Sequence, residues 1–358
     1  MSADLLMSRQ GVILMGELKE AMLYQKLDDA RVQCNLCAHR CKISPGKRGV
    51  CGVRENQDGT LFTLVYGKSI SAAVDPIEKK PLYHYLPGTS AFSIATVGCN
   101  FRCAFCQNAD ISQAPRENRD LGRWARDLPP EQVVRLAEEY NCASIAYTYT
   151  EPTVFFEYAY DTAVIASEHG LKNIFVTNGY MTSEALDTIG DNLHAANVDL
   201  KSFSDEFYRK ICGGSLQPVL DSIRQMREMG VWVEVTTLVI PGHNDSDDEF
   251  RGIAEFLVSV DPDMPWHLSR FVPHYKMQDV PSTPVSTLHR AVEIGYDAGL
   301  HYVYVGNVPG DQYEHTHCPR CGEIVIYRIG YNIRLNLKDN SCPKCGSRLA
   351  VVISSSEK

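Results

Sequence analysis

From residue 92 onward the chain alternates between two hydrophobic rhythms. Short runs rich in β-branched and aromatic residues occupy 92–97, 144–149, 173–177, 197–200, 231–240, 267–272 and 302–305. Between most of them apolar residues recur at helical spacing, most clearly over 131–140, 154–169, 218–229, 247–260 and 286–298. The first rhythm predicts strands and the second amphipathic helices. Strand–helix alternation implies parallel βα units, and six or more of them suggest an α/β fold built as a full or partial TIM-like (β/α) barrel. A doubly wound open sheet is the alternative. Before this region the pattern changes: 17–31 reads as a helix, 47–52 and 57–59 are turn-rich, and 61–74 reads as a strand pair around Gly67. Three units follow: an N-terminal module over 1–75, a barrel over 76–312 and a C-terminal module over 313–358.

Composition narrows the class. A chain of 358 residues, 44% hydrophobic and 22% charged, is neither a disordered segment nor a small disulfide scaffold. The apolar run GVILMG is too brief for a membrane span or a secretory signal, and only the SSSEK tail has low complexity. The thirteen cysteines therefore read as reduced thiols of a cytoplasmic protein, poised for metals. A net charge of −9 argues against nucleic-acid binding. Two stretches oppose that balance: 31–54 has six Lys/Arg and no acid, and 318–348 has six against two. Counter-charge for thiolates on a metal explains both, with a docking surface for an acidic partner as the alternative.

Barrel chemistry sits at the C-terminal ends of the strands. Cys99, Glu151, Asn178, Asp199 with Lys201, Asn244, and His267 with Arg270 fall at or near those ends. Cys99, Cys103 and Cys106 supply three soft thiolates from one loop, which suits iron–sulfur, copper(I) or zinc. Three ligands leave one iron of a four-iron cluster open, while a remote fourth ligand would close a zinc site.

The loop CNFRCAFCQN resembles the radical S-adenosylmethionine (SAM) superfamily. That resemblance implies a [4Fe–4S] cluster on Cys99, Cys103 and Cys106, SAM on the fourth iron, and Phe105 near the adenine. Further stretches are similar to the pyruvate formate-lyase activating enzyme branch. YTYTEPT keeps the family's Glu-Pro, with Glu151 implied for the SAM ammonium, but has Tyr149 and Thr150 where the family has glycines. VTNGY, with Thr177 and Asn178, resembles the ribose and carboxylate contact. VDLK, with Asp199 and Lys201, resembles the motif whose lysine meets the SAM carboxylate. LVIPGHND, with Pro241 and Asn244, resembles the adenine-side loop. EAMLYQKLDD, CNLCAHRCKISPGKRGVCGVREN, DPIEKKPLYHYLPG, WHLSRFVP and YVYVGNV look like the AmmeMemoRadiSam system radical SAM enzymes. The resemblance implies reductive SAM cleavage, hydrogen abstraction from a small-molecule or macromolecular substrate, and a one-electron donor such as flavodoxin or ferredoxin. A co-encoded protein partner or protein substrate fits this group. Glycyl radical enzyme activation is one alternative, and a metal-binding electron carrier or scaffold is the other. One of His267 and Arg270 is expected at the barrel mouth, against SAM or substrate.

Two four-cysteine sets flank the barrel. Cys34, Cys37, Cys41 and Cys51 leave zinc and a second [4Fe–4S] cluster both open, and a structural role such as zinc is the plainer reading. Cys318, Cys321, Cys342 and Cys345 form two CPxCG knuckles and predict a zinc ribbon, with a rubredoxin-like iron site as the alternative. His39, His315 and His317 read as loop or linker residues, and Cys142 as a buried small hydrophobe. Cys212 stands near the Asp199/Lys201 strand and could face the pocket.

Overall fold

The computed structural model describes residues 18–117 and 125–353. The GVILMG run and the SSSEK tail lie outside the described residues. The alternating region forms one eight-stranded sheet. Its strands are β1 (Ser71–Pro76), β2 (Ser90–Ala95), β3 (Ser144–Tyr147), β4 (Lys172–Thr177), β5 (Ala195–Asp199), β6 (Trp232–Val239), β7 (Trp266–Arg270) and β8 (Val303–Gly306). They lie side by side in chain order. Strands β2 to β8 pair in parallel, and β1 adds an antiparallel edge to β2. Helices α1 (Pro130–Glu139), α2 (Phe156–Glu168), α3 (Ser183–Ile189), α4 (Gln217–Glu228), α5 (Asp247–Val260) and α6 (Val285–Ala298) connect successive parallel strands. A doubly wound sheet reverses its strand order at a switch point. This one does not, and its two edges are β1 and β8, so it is the partial, open form of the barrel.

Local chemistry explains the elements. All four residues of β3 are buried, as expected of a parallel strand covered on both faces. Helix α5 starts where Ser246 Oγ accepts from Glu249 N at 3.3 Å, with Asp247, Asp248 and Glu249 in its first turn. Helix α3, too short for its period to stand out, is capped by the Thr182 hydroxyl accepting from Ala185 N.

The helix expected over 17–31 is not formed over its described residues, 18–31. Lys19–Glu20 and Tyr24–Lys26 are strands of two small antiparallel sheets. Left-handed backbone at Leu23, Asp29 and Ala30 breaks the stretch into turns. The strand pair around Gly67 is also corrected. Thr60–Thr63 pairs with Arg54–Gln57 and Lys19–Glu20, whereas Ser71–Pro76 crosses into the main sheet.

The segment 77–86 plugs the barrel near the N-terminal ends of β6 and β7. Tyr83 N and His84 N donate to the Glu234 carboxylate at 2.9 and 2.8 Å. The C-terminal module is a three-stranded antiparallel sheet of Thr316–His317, Ile324–Ile329 and Asn332–Leu335. It covers the plug: buried Arg328 donates to Tyr83 O at 2.6 Å, and His84 Nδ1 meets Ala350 O. No helix among the described residues is long and apolar enough to cross a membrane.

Candidate active site at the strand ends

The loop after β2 enters through Gly98, whose φ is 101°. A Cβ there would lie 2.8 Å from Val53 Cγ1 and 3.2 Å from Cys51 O, so only glycine passes between the barrel and the N-terminal module. The cysteine loop is then held from two sides. Arg102 N donates to Cys212 O at 2.8 Å and Ala104 N to Ile211 O at 3.1 Å. The Arg116 guanidinium donates to Phe101 O at 2.6 Å, Cys99 O at 2.9 Å and Asn100 O at 3.3 Å. Phe101 N points at Cys99 Sγ at 3.3 Å, and Cys106 Sγ lies 3.2 Å from Ser112 Oγ. Burial, then the Glu151 carboxylate, pushes the Cys99 thiol well up, and burial raises Cys106. A hydrogen bond with Cys212, then burial, pushes Cys103 well up. Thiols so placed lose their protons when a metal supplies the positive charge.

Glu151 is buried beside this loop. Its Oε1 accepts from Thr153 N at 3.1 Å, Thr153 Oγ1 at 2.6 Å and Thr177 Oγ1 at 2.7 Å, while Oε2 accepts from Asn178 N at 2.8 Å. Burial raises its pKa, and these donors oppose the rise. Asn178 Nδ2 donates to Asn100 Oδ1 at 2.7 Å and lies 3.8 Å from Cys99 Sγ. Tyr149 explains how the chain manages without a family glycine. Its φ is 62°, left-handed backbone that costs a non-glycine residue about 1–2 kcal/mol. Its hydroxyl bonds the Asp75 carboxylate, Lys80 Nζ lies 4.5 Å from its ring centroid, and Asn108 Nδ2 donates to its carbonyl at 2.7 Å. Those contacts hold the turn that glycine would adopt freely.

Lys201 completes the cluster. Its Nζ meets Asp199 Oδ2 at 2.9 Å and stands 5.7 Å over the Phe105 ring. Burial pulls its pKa down, but the Asp199 carboxylate, joined by Cys103 and Cys212 when they are thiolates, outweighs burial and pushes it well up. Lys201 therefore stays charged.

The remaining expected residues are placed differently. Asn244 turns inward on backbone, donating to Lys201 O at 2.7 Å and Leu238 O at 2.9 Å, so it shapes the loop that also holds Pro241. Arg270 stands at the C-terminal end of β7 and donates from Nε to Thr283 O at 2.9 Å. His267 does not join them. Its Nε2 lies 2.7 Å from Glu234 Oε2, and Tyr83 packs edge-on against its ring, on the plugged side. Strand alternation separates the two side chains.

Several contributors were not singled out in the sequence: Asn100, Ser112 and Arg116, whereas Cys212, expected near the pocket, does meet the Cys103 thiol. The signal of the first three is contact with the loop: Asn100 lies within it, and Ser112 and Arg116 follow within ten residues of Cys106. Cys142 and Cys212 are both buried. His39 is half-buried and engaged, with its Nε2 2.9 Å from Asn100 O. At the C-terminus the sulfurs of Cys318, Cys321, Cys342 and Cys345 all lie within 4.8 Å of one another, close enough to share one metal ion.

A family model described as the radical SAM superfamily matches residues 93–257. An uncharacterized protein of Methanocaldococcus jannaschii is 45% identical over 340 residues, covering 94% of this chain and 100% of that protein. A putative glycyl-radical enzyme activating enzyme of the same organism is 26% identical over 196 residues, covering 53% of this chain and 71% of that protein. The crystal structure of a domain of pyruvate-formate lyase-activating enzyme from Bacteroides vulgatus is 21% identical, covers 46% of this chain and 99% of that domain, and superposes with a TM-score of 0.41.

Proposed function

The chain belongs to the radical SAM superfamily, and from that premise we propose that Cys99, Cys103 and Cys106 hold a [4Fe–4S] cluster beside SAM at the strand ends. When bound, the cluster would supply the electron for reductive cleavage of SAM, the chemistry that abstracts a hydrogen atom from the substrate. The observation that carries this reading is the donor set. Three soft thiols from one loop stand beside Asn100, whose Nδ2 is buried without a partner. That amide hydrogen needs an acceptor, and a bound sulfide or SAM carboxylate provides one.

The other residues divide the binding work. Glu151 Oε2 accepts from Asn178 N and keeps capacity for the SAM ammonium. Thr177 and Asn178 orient that carboxylate and face the ribose and carboxylate of SAM. Lys201, held charged by Asp199, attracts the SAM carboxylate, and Phe105 lies by the adenine. Asn244 and Pro241 shape the adenine-side loop, and Arg270 guards the mouth. We assign His267 to the plug. The C-terminal thiols hold zinc, or iron in a rubredoxin-like site. A flavodoxin- or ferredoxin-type protein supplies the electron. Within the superfamily we assign the chain to the AmmeMemoRadiSam group on its sequence resemblance, with a co-encoded protein as partner or substrate.

Glycyl radical enzyme activation is the second reading, favoured by the likeness to a putative activating enzyme. The experiment is anaerobic reconstitution followed by SAM and dithionite. Formation of 5′-deoxyadenosine supports the proposal, and its absence from cluster-loaded protein refutes it. A glycyl radical signal on mixing with a co-encoded glycyl radical enzyme selects the second reading.

A further inference from the structure

We infer that Cys34, Cys37, Cys41 and Cys51 hold a second [4Fe–4S] cluster, and not the single zinc ion that a four-thiol set first suggests. A tetrahedral zinc site with bonds of about 2.3 Å sets its sulfurs about 3.8 Å apart. The C-terminal set has that scale: Cys318 Sγ and Cys345 Sγ are 3.7 Å apart, and Cys321 Sγ and Cys342 Sγ 3.6 Å. It is the one group of three or more Cys, His, Asp or Glu ligands among the described residues that draws within 4.8 Å. The N-terminal four line a common cavity, with His39 and Arg54 also in its wall, yet no three of them draw that close. Cys99, Cys103 and Cys106 likewise do not draw within that span. A four-iron cube holds one thiolate at each corner and needs a wider scale.

Arg54 gives a second, independent observation. Its Nη1 reaches both oxygens of Glu157 at 2.9 Å, and its Nη2 donates to Met22 O at 2.7 Å. Its Nε is buried and has no partner. A buried N–H without an acceptor costs about 1–3 kcal/mol. A cluster brings inorganic sulfides that accept such bonds, whereas a single zinc brings no acceptor beyond the four thiolates.

The site is joined to the Cys99 loop. Asn100 O accepts from His39 Nε2 at 2.9 Å, and Arg116 Nε donates to Val50 O at 2.8 Å while its Nη2 holds Cys99 O. Four thiolates close all four irons, so this cluster can hold an electron but offers SAM no iron.

The test is the full-length variant C99A/C103A/C106A, reconstituted anaerobically with iron, sulfide and zinc. The inference expects about four irons and four labile sulfides per chain, one zinc, and a dithionite-reduced cluster signal in electron paramagnetic resonance that SAM leaves unchanged. Two zincs per chain with no labile sulfide overturns it, and so does a signal that SAM shifts. Because this variant lacks the Cys99 site, its result does not depend on SAM cleavage. A second variant, C34A/C37A/C41A/C51A, should lose about half the wild-type iron and keep a SAM-responsive signal. Unchanged iron in that variant overturns the inference as well.

Discussion

The two ends of the chain carry four cysteines each, and the contrast between them is instructive. The C-terminal set sits on two matching knuckles. In each, the first cysteine's amide is bonded across the turn, Cys318 N to Glu323 O at 2.8 Å and Cys342 N to Ser347 O at 2.9 Å. Two rigid turns facing each other need only one small ion to tie them. The N-terminal set comes from a longer hairpin turn, where Cys34 ends a strand and its amide bonds Cys41 O at 2.9 Å, and from the loop that follows, and it packs on the barrel. Its neighbours are Gly98, the Arg116 clamp and the buried Arg54–Glu157 pair. One module is a self-contained clip at the plugged end, and the other is part of the wall beside the reacting loop. Equal numbers of thiols thus say little, whereas their spacing and their contacts say what they serve.

Substitutions can break that contrast. The largest effect is expected at Arg54, whose side chain is 2% exposed against Glu157 at 0%. Arg54→Met strands a buried carboxylate and should cost about 3–5 kcal/mol in chemical denaturation. It should also lower the labile sulfide content, which a change in the C-terminal set would not do.

Acid probes the other end. Burial pushes His84 down to about 4, against the pull of the Glu234 carboxylate. Ala350 O can only accept, so Nδ1 carries the proton and Nε2 accepts from the Tyr304 hydroxyl. The folded pKa is thus depressed below the unfolded value of about 6.5. The related stability is fully present above that value and is lost as pH falls toward 4, by about 3 kcal/mol in total. Urea unfolding across this range should show the loss in the wild type and a flatter profile in His84→Gln.

Smaller effects sharpen the boundary. Gly98→Ala forces a positive φ and a contact at 2.8 Å with Val53, and should cost about 1–3 kcal/mol with weaker cluster retention. Arg40 meets Glu184 at 2.8 Å across the same boundary, but the side chains are 43% and 47% exposed. Arg40→Ala should change stability by less than about 1 kcal/mol and leave the iron count unchanged.

Sequence periodicity carried the parallel strands well, because fully buried runs between amphipathic helices have few other homes. Asp247–Val260 was legible to the residue, owing to its capping serine and acidic first turn. The N-terminal module was not legible. Residues 17–31 have a helical look, but their backbone is set by left-handed turns and by pairing with distant strands. In the site, Cys99, Glu151, Asn178 and Lys201 were visible from their places at strand ends. Asn100, Ser112 and Arg116 were not, since they act through contacts that the fold alone creates. His267 and Arg270 share a strand, yet the plug takes one and the mouth the other. Tyr149 shows the converse: a departure from the family's glycine that local contacts accommodate.

The most direct measurement is 5′-deoxyadenosine formation from SAM, made in parallel on the wild type, on C99A/C103A/C106A and on C318A/C342A. The wild type and C318A/C342A should form product, and C99A/C103A/C106A none. Product from C99A/C103A/C106A would contradict the assignment of the cluster to those three thiols.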